Sequence, residues 1–182
     1  MSRSFALLLL SALLSACAVL GGPAYTLGTT REAEVLASKG PPAHVVSEAD
    51  GVRRMFWPTG PYGTSTIMAR FDRQQRLLSY EEVLNIEHFS LIQAGMSMDE
   101  VLNVLGPSYP AWTTYFKARD ELVWEWRYCE IGSAAARFYV LFDGTSRKVR
   151  STMSLGEWQM NGFRTAPACG QTYLNVRVPA AR

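Results

Sequence analysis

The chain has little of what most enzymes need. It holds two histidines, His44 and His88, far apart and outside any metal-ligand motif such as H-E-x-x-H. It has no C-x-x-C pair, no G-x-S-x-G elbow and no phosphate-cradling glycine loop. No cofactor or metal is called for. It also lacks a basic block: 18 Lys and Arg stand against 16 Asp and Glu, a net charge of +2, which argues against a nucleic-acid partner. Long apolar runs are missing too. The longest, Phe5 to Leu14, is about ten residues, whereas a membrane-spanning helix takes ~20. What is present is a hydrophobic content of 48%, enough for a packed core in one ordinary domain or two very small ones.

That short run has a context. Arg3 precedes it, and Leu14-Ser15-Ala16-Cys17 follows. A short positive region, an apolar stretch of this length and a break of small residues make an export signal. A cysteine directly after Leu-Ser-Ala resembles the lipobox of bacterial lipoproteins. The resemblance implies that residues 1–16 are removed, that the Cys17 sulfur carries a diacylglycerol, and that its new amino group takes an acyl chain such as palmitate. Several acyl chains at ~0.8 kcal/mol per buried CH₂ anchor a protein durably. Ala18 stands where an Asp would resemble an inner-membrane retention signal, so the expectation is an outer-membrane lipoprotein facing the periplasm. Loss of Arg3 would bring the net charge from +2 to +1.

Cys129 and Cys169 remain. They are either a disulfide or two buried thiols, and an even pair in an oxidising compartment favours the bridge. Closing a loop of about forty residues would stabilise by roughly 4 kcal/mol on the chain-entropy estimate.

The sequence also repeats itself. Gly28-Thr29-Thr30-Arg31-Glu32-Ala33-Glu34-Val35-Leu36 ends in Gly40-Pro41, and Gly95-Met96-Ser97-Met98-Asp99-Glu100-Val101-Leu102 ends in Gly106-Pro107. In the second copy Ser97 and Glu100 form a capping box, and Met96 and Val101 are placed as a hydrophobic staple. Val101, Leu102 and Leu105 give a helical stripe, which Gly106-Pro107 stops. In the first copy Thr29 or Thr30 is the expected cap. After each helix the period changes to two. Val52–Trp57, Ile67–Asp72 and Leu77–Tyr80 read as strands in the first copy, and Leu122–Tyr128, Phe138–Phe142 and Lys148–Met153 in the second. Asn85–Ile92 reads as a short linking helix, and Tyr173–Val178 as an extra strand. The expected fold is α+β, with two tandem α/α-β-β-β repeats, each a helix or small helical hairpin on a three-stranded antiparallel sheet.

Helix, Gly-Pro stop, Trp126-Arg127-Tyr128 and the strand end Val140-Leu141-Phe142-Asp143, with Phe71-Asp72 equivalent in the first copy, resemble the SmpA/OmlA (BamE-like) outer-membrane lipoproteins. The resemblance implies residues 1–16 as signal peptide, 17–27 as tether, 28–84 as a first BamE-like repeat and 85–94 as a linking helix. Residues 95–155 form the second repeat and 156–182 a C-terminal extension. The best-known member is an accessory subunit of the β-barrel assembly machine and carries one copy. Two copies are similar to the β-lactamase-inhibitor protein architecture, in which tandem repeats make one continuous concave sheet that binds another protein.

Glu81-Glu82 and Asp120-Glu121 are neighbours that point apart and read as solvated faces rather than acid/base pairs. Trp57, Pro58, Pro61 and Tyr62, with Trp112, Tyr115 and Phe116, fall in irregular stretches. They either anchor a protein partner or cover the ends of a thin core. From the sequence we take Trp57, Pro58, Tyr62, Trp112 and Tyr115 as candidate partner-binding residues. The expected protein is a non-enzymatic, membrane-tethered binding module acting on envelope proteins, the β-barrel assembly machine among them. A periplasmic enzyme inhibitor is the alternative.

Overall fold

The computed structural model describes residues 25–130, 134–160 and 169. Helix α1 (Glu32–Lys39) is followed by β1 (His44–Ser47), β2 (Arg53–Pro58), β3 (Thr66–Phe71) and β4 (Leu77–Glu82). A short helix α2 (Ile86–Ser90) leads to α3 (Met98–Leu105), then to β5 (Thr114–Phe116), β6 (Glu121–Cys129), β7 (Ala135–Asp143), β8 (Val149–Gly156) and a single-turn helix α4 (Glu157–Met160). The strands form two antiparallel meanders, β1-β2-β3-β4 and β5-β6-β7-β8. The class is α+β, with four strands per sheet instead of the three the alternation indicated. The additional strands, β1 and β5, are edge strands of four and three residues, too short for a period of two to register.

The two halves correspond bond by bond. Ser97 accepts from the Glu100 N–H while Glu100 accepts from the Ser97 N–H, the reciprocal capping box. In the first half the cap is Arg31, not Thr29 or Thr30. Glu34 accepts from the Arg31 N–H at 2.9 Å, but a guanidinium cannot accept in return. Thr30 is unavailable because it is buried and its hydroxyl accepts from the Thr26 N–H. Both helices end on a left-handed glycine, Gly40 at φ 77° and Gly106 at φ 69°. The carbonyl of each glycine takes an indole N–H from the facing strand, Trp57 to Gly40 at 3.0 Å and Trp126 to Gly106 at 3.2 Å. Each third strand has an irregular register just before its phenylalanine, Phe71 or Phe142, and both rings are fully buried.

Side-chain alternation builds the layers. Met55 and Trp57 on β2, with Ala69 and Phe71 on β3, pack with Val35 and Leu36 of α1. Phe56 and Met68 point to the opposite face of the same sheet and pack with Val101 and Leu105 of α3. The far side of α3 meets Leu122, Trp126, Phe138 and Phe142 of the second sheet. From α2, Phe89 stacks on Phe138 with ring centroids 3.9 Å apart. The order is helix, sheet, helix, sheet. Polar contacts fix α3 on the first sheet: His44 Nε2 lies 3.0 Å from Asn103 Oδ1, and Arg54 donates to the Asn103 carbonyl at 2.6 Å.

This layering corrects the expectation of one continuous concave sheet. Both faces of the first sheet carry large apolar side chains, so α3 of the second half is drawn between the sheets instead of both helices lying on one side. Among the described residues no helix is long and apolar enough to cross a membrane. Cys17, its cleavage site and the expected strand Tyr173–Val178 lie outside the described residues.

Candidate functional site

In this layered order the outer face of the second sheet is covered least among the described residues: the single-turn helix α4 meets it through Glu157 on Arg127 and Arg137 and through Met160 at the Tyr139 hydroxyl. The register puts Val123, Glu125 and Arg127 of β6, Arg137, Tyr139 and Leu141 of β7, and Met153 and Leu155 of β8 on that face. Phe116 of β5 joins them opposite Glu121. Phe116 is 42% exposed and Met153 46%. Together with Trp112 they line a shallow groove of about 310 Å³.

At Trp112 and Glu125 the groove meets a cleft of about 320 Å³ between the two halves. Pro58, Gly60, Ser65 and Thr66 of the first half form one wall. Pro107, Tyr109, Pro110, Trp112 and Trp126 of the second form the other. Trp112 is held by the Arg137 guanidinium, 4.0 Å above its ring, and by an edge contact with Tyr109 at 5.4 Å.

Four charges run across the floor beside the cleft. Glu125 pairs with Arg137, Arg137 donates to Glu157 Oε1 at 2.6 Å, and Arg127 grips both oxygens of Glu157 at 2.6 and 3.0 Å. A third Arg127 nitrogen donates to the Tyr62 carbonyl at 2.6 Å, tying the β2–β3 loop of the first half to the second sheet. Burial pushes the Glu125 carboxyl above its usual value, more than Arg137 pulls it down. Burial acts on Glu157 in the same direction, but the two arginines outweigh it and leave its carboxyl below the usual range. Burial also drives Tyr139 up to about 12.

The sequence-derived candidates divide. Pro58 and Trp112 line the cleft. Tyr62 is 58% exposed at its edge and contributes its carbonyl. Trp57 is corrected: it is only 8% exposed and faces α1, because its indole is needed to satisfy the Gly40 carbonyl. Tyr115 lies on the opposite face of β5 from Phe116, where its hydroxyl donates to Asp120 at 2.7 Å.

Two of the carboxylates assigned to solvated faces also differ. Glu82 accepts from the Thr66 and Leu84 N–H groups behind the cleft, and Glu121 is buried against Arg119. The sequence reading passed over Glu125, Arg127, Arg137 and Glu157. For Glu125 and Arg127 the signal was charge on alternate positions of a strand whose other positions are tryptophan and tyrosine; Arg137 and Glu157, on β7 and α4, carried no such signal. Cys129 and Cys169 are joined, with Cα atoms 5.6 Å apart.

At the far end of this sheet Asp143 caps the β7–β8 turn. The Ser146 N–H and then the Arg150 guanidinium hold its carboxyl down to about 2. A depressed folded-state value means a stabilising contribution present above the unfolded value near 3.8 and lost as pH falls toward about 2. The Asp143 carboxylate is therefore expected to titrate near pH 2 by NMR. Arg150→Ala should raise that midpoint, and an unchanged midpoint would remove Arg150 from the cause.

Comparison with protein-family models, curated proteins and solved structures found no match for this chain.

Proposed function

We propose that this chain is a non-enzymatic lipoprotein of the SmpA/OmlA (BamE-like) type, held on the periplasmic face of the outer membrane by lipid on Cys17. It binds envelope proteins through the outer face of its second sheet and the adjoining cleft. The observation that carries the reading is the open apolar face. The first sheet is covered on both sides, whereas on the second only the single turn of α4 reaches the outer face, and Phe116, Leu141, Met153 and Leu155 line a groove beside it. A sheet face of this composition is a site for burial against another surface.

Binding rather than chemistry is favoured by the charges. Glu125, the carboxylate on the cleft wall, and Glu157 beside it are each engaged by arginine, which leaves neither free as a general base. Assembly of outer-membrane proteins is the role the family resemblance suggests.

The test is photocrosslinking in intact cells from position 116 or 153, with exposed Ile86, on the linking helix, as the control position. Adducts from the sheet positions and none from Ile86 are expected, along with release of the Cys17→Ser protein from membranes. Barrel-assembly components among the adducts would support the assembly role. A single unrelated envelope enzyme would replace it with the inhibitor reading. No adduct from either sheet position would overturn the surface itself.

A further inference from the structure

The second sheet has an edge left open among the described residues. β8 ends the order β5-β6-β7-β8, and only its two ends are held from outside. Val149 exchanges hydrogen bonds with Gly95 and Met96, both at 2.8 Å, as Leu77 does with Gly28 and Thr30 at the start of β4. At the other end the Gly156 N–H turns outward and donates to Gln159 Oε1 at 3.0 Å. Backbone groups of an antiparallel strand alternate between its two sides. Ser154 and Thr152 therefore turn theirs outward as Gly156 does, and no described residue bonds to those groups. Arg150 to Ser154 are all exposed. Edges are ordinarily protected by shortness, charge or proline. β1 and β5 are four and three residues long, and β4 ends in Glu81 and Glu82. From Ser151 to Gly156 β8 has none of these protections.

We infer that β8 pairs with β8 of a second copy of this chain, antiparallel about a two-fold axis at Met153, so that two four-stranded sheets become one of eight strands. The register follows from which groups are open. With Met153 facing its own twin, Thr152 of each copy lies opposite Ser154 of the other, and the outward N–H and C=O groups of both residues find partners. An axis at Ser154 would set Thr152 against Gly156, whose N–H is taken. One at Thr152 would set Ser154 against Arg150, the extra residue at the register break between Leu141 and Phe142. The side chains agree. On the outer face Met153 meets Met153 and Ser151 meets Leu155. On the inner face Thr152 meets Ser154, a pair that hydrogen-bonds well across strands. The one charge, Arg150, falls opposite Gly156 and is already held by Asp143, so no like charges meet. The outer faces of the two copies then run on as a single apolar surface. This pairing stands whether or not that surface takes other proteins.

The test is Met153→Cys in the full chain, oxidised in intact cells with copper phenanthroline and read on a non-reducing gel. In this register the two Cα atoms at the axis stand about 4.5 Å apart, within disulfide reach. Most of the chain should therefore run as a covalent dimer. Ser151→Cys alone should not link, since its twin lies about 14 Å away along the strands. Ser151→Cys and Leu155→Cys chains produced together should link. Thr152→Pro removes an outward N–H, a change that an edge strand tolerates. Added to Met153→Cys, it should cut the dimer yield roughly tenfold, because two hydrogen bonds are lost across the axis. The tryptophan emission of the folded chain should not change.

No dimer from position 153 would overturn the pairing, and so would a yield indifferent to Thr152→Pro. Equal linkage from positions 151 and 153 would mean random collision and overturn it as well. An unfolded Thr152→Pro protein would show that this N–H is bonded within one chain, and the open edge would fall with it. None of these outcomes touches adducts from position 116 to other proteins, which decide the binding reading separately.

Discussion

Arg127→Met is expected to destabilise the fold by about 3 kcal/mol, the lower end of what breaking a buried ion pair costs. Its side chain is 5% exposed and that of Glu157 is 8%. Methionine can refill the apolar volume but leaves Glu157 with only Arg137 and leaves the Tyr62 carbonyl without its charged donor. For a chain of this size the loss corresponds to a fall in Tm of roughly 6–12 °C.

The double variant Arg127→Met with Glu157→Leu should recover a large part of it. Removing both charges abolishes the desolvation cost that a single removal exposes. Arg137 then still holds Glu125. Chemical denaturation of the two single variants and the double gives the coupling. Additive losses would mean that the two residues do not act as a pair. The variant should also loosen the cleft, because Arg127 is what binds the loop carrying Pro58 and Gly60 to the second sheet.

The helices and their stops were legible because each is specified locally. A capping box and a Gly-Pro stop act within about ten residues, and α3 begins and ends where they direct. The long strands β6 and β7 were legible for the same reason, since the alternation read over Leu122–Tyr128 and Phe138–Phe142 lies wholly within them.

What the sequence did not reveal depends on pairing across the chain. Trp57 carries the same label as Trp112, an aromatic next to a proline-rich loop. Only the register of β2 shows that its indole points back to Gly40. Glu82 looks like any surface carboxylate until β3 brings the Thr66 N–H to it. The cleft itself is made by residues more than forty positions apart, Pro58 against Trp112 for example, and no motif spans that distance. The repeat correctly implied that each helix packs on its own sheet. It did not imply that the second helix also packs on the first sheet, because Phe56 and Met68 alternate with Met55 and Ala69 in runs apolar on both faces.

That second contact carries the other large prediction. Phe56→Ala is expected to cost about 3–5 kcal/mol, the usual price of a buried phenylalanine. The loss should be felt in both halves at once. Phe56 is fully buried in the cluster that contains Val101, Leu105, Trp126 and Phe142, although it belongs to a strand of the first sheet. A Cβ on Gly106 would lie 3.0 Å from its ring, so α3 is seated directly on it. Each half by itself would be a domain of about sixty residues, the size at which a single core is marginal. The shared helix is what makes one cooperative body of two small ones. Unfolding of the Phe56→Ala protein should therefore remain a single transition at lower denaturant. Single-tryptophan versions reporting from Trp57 in the first half and from Trp126 in the second should give coincident curves. A first half that melts alone, with the Trp126 signal unmoved, would show that the contact between α3 and the first sheet contributes little. The cleft between the halves would then lack the rigid walls that anchoring a partner requires.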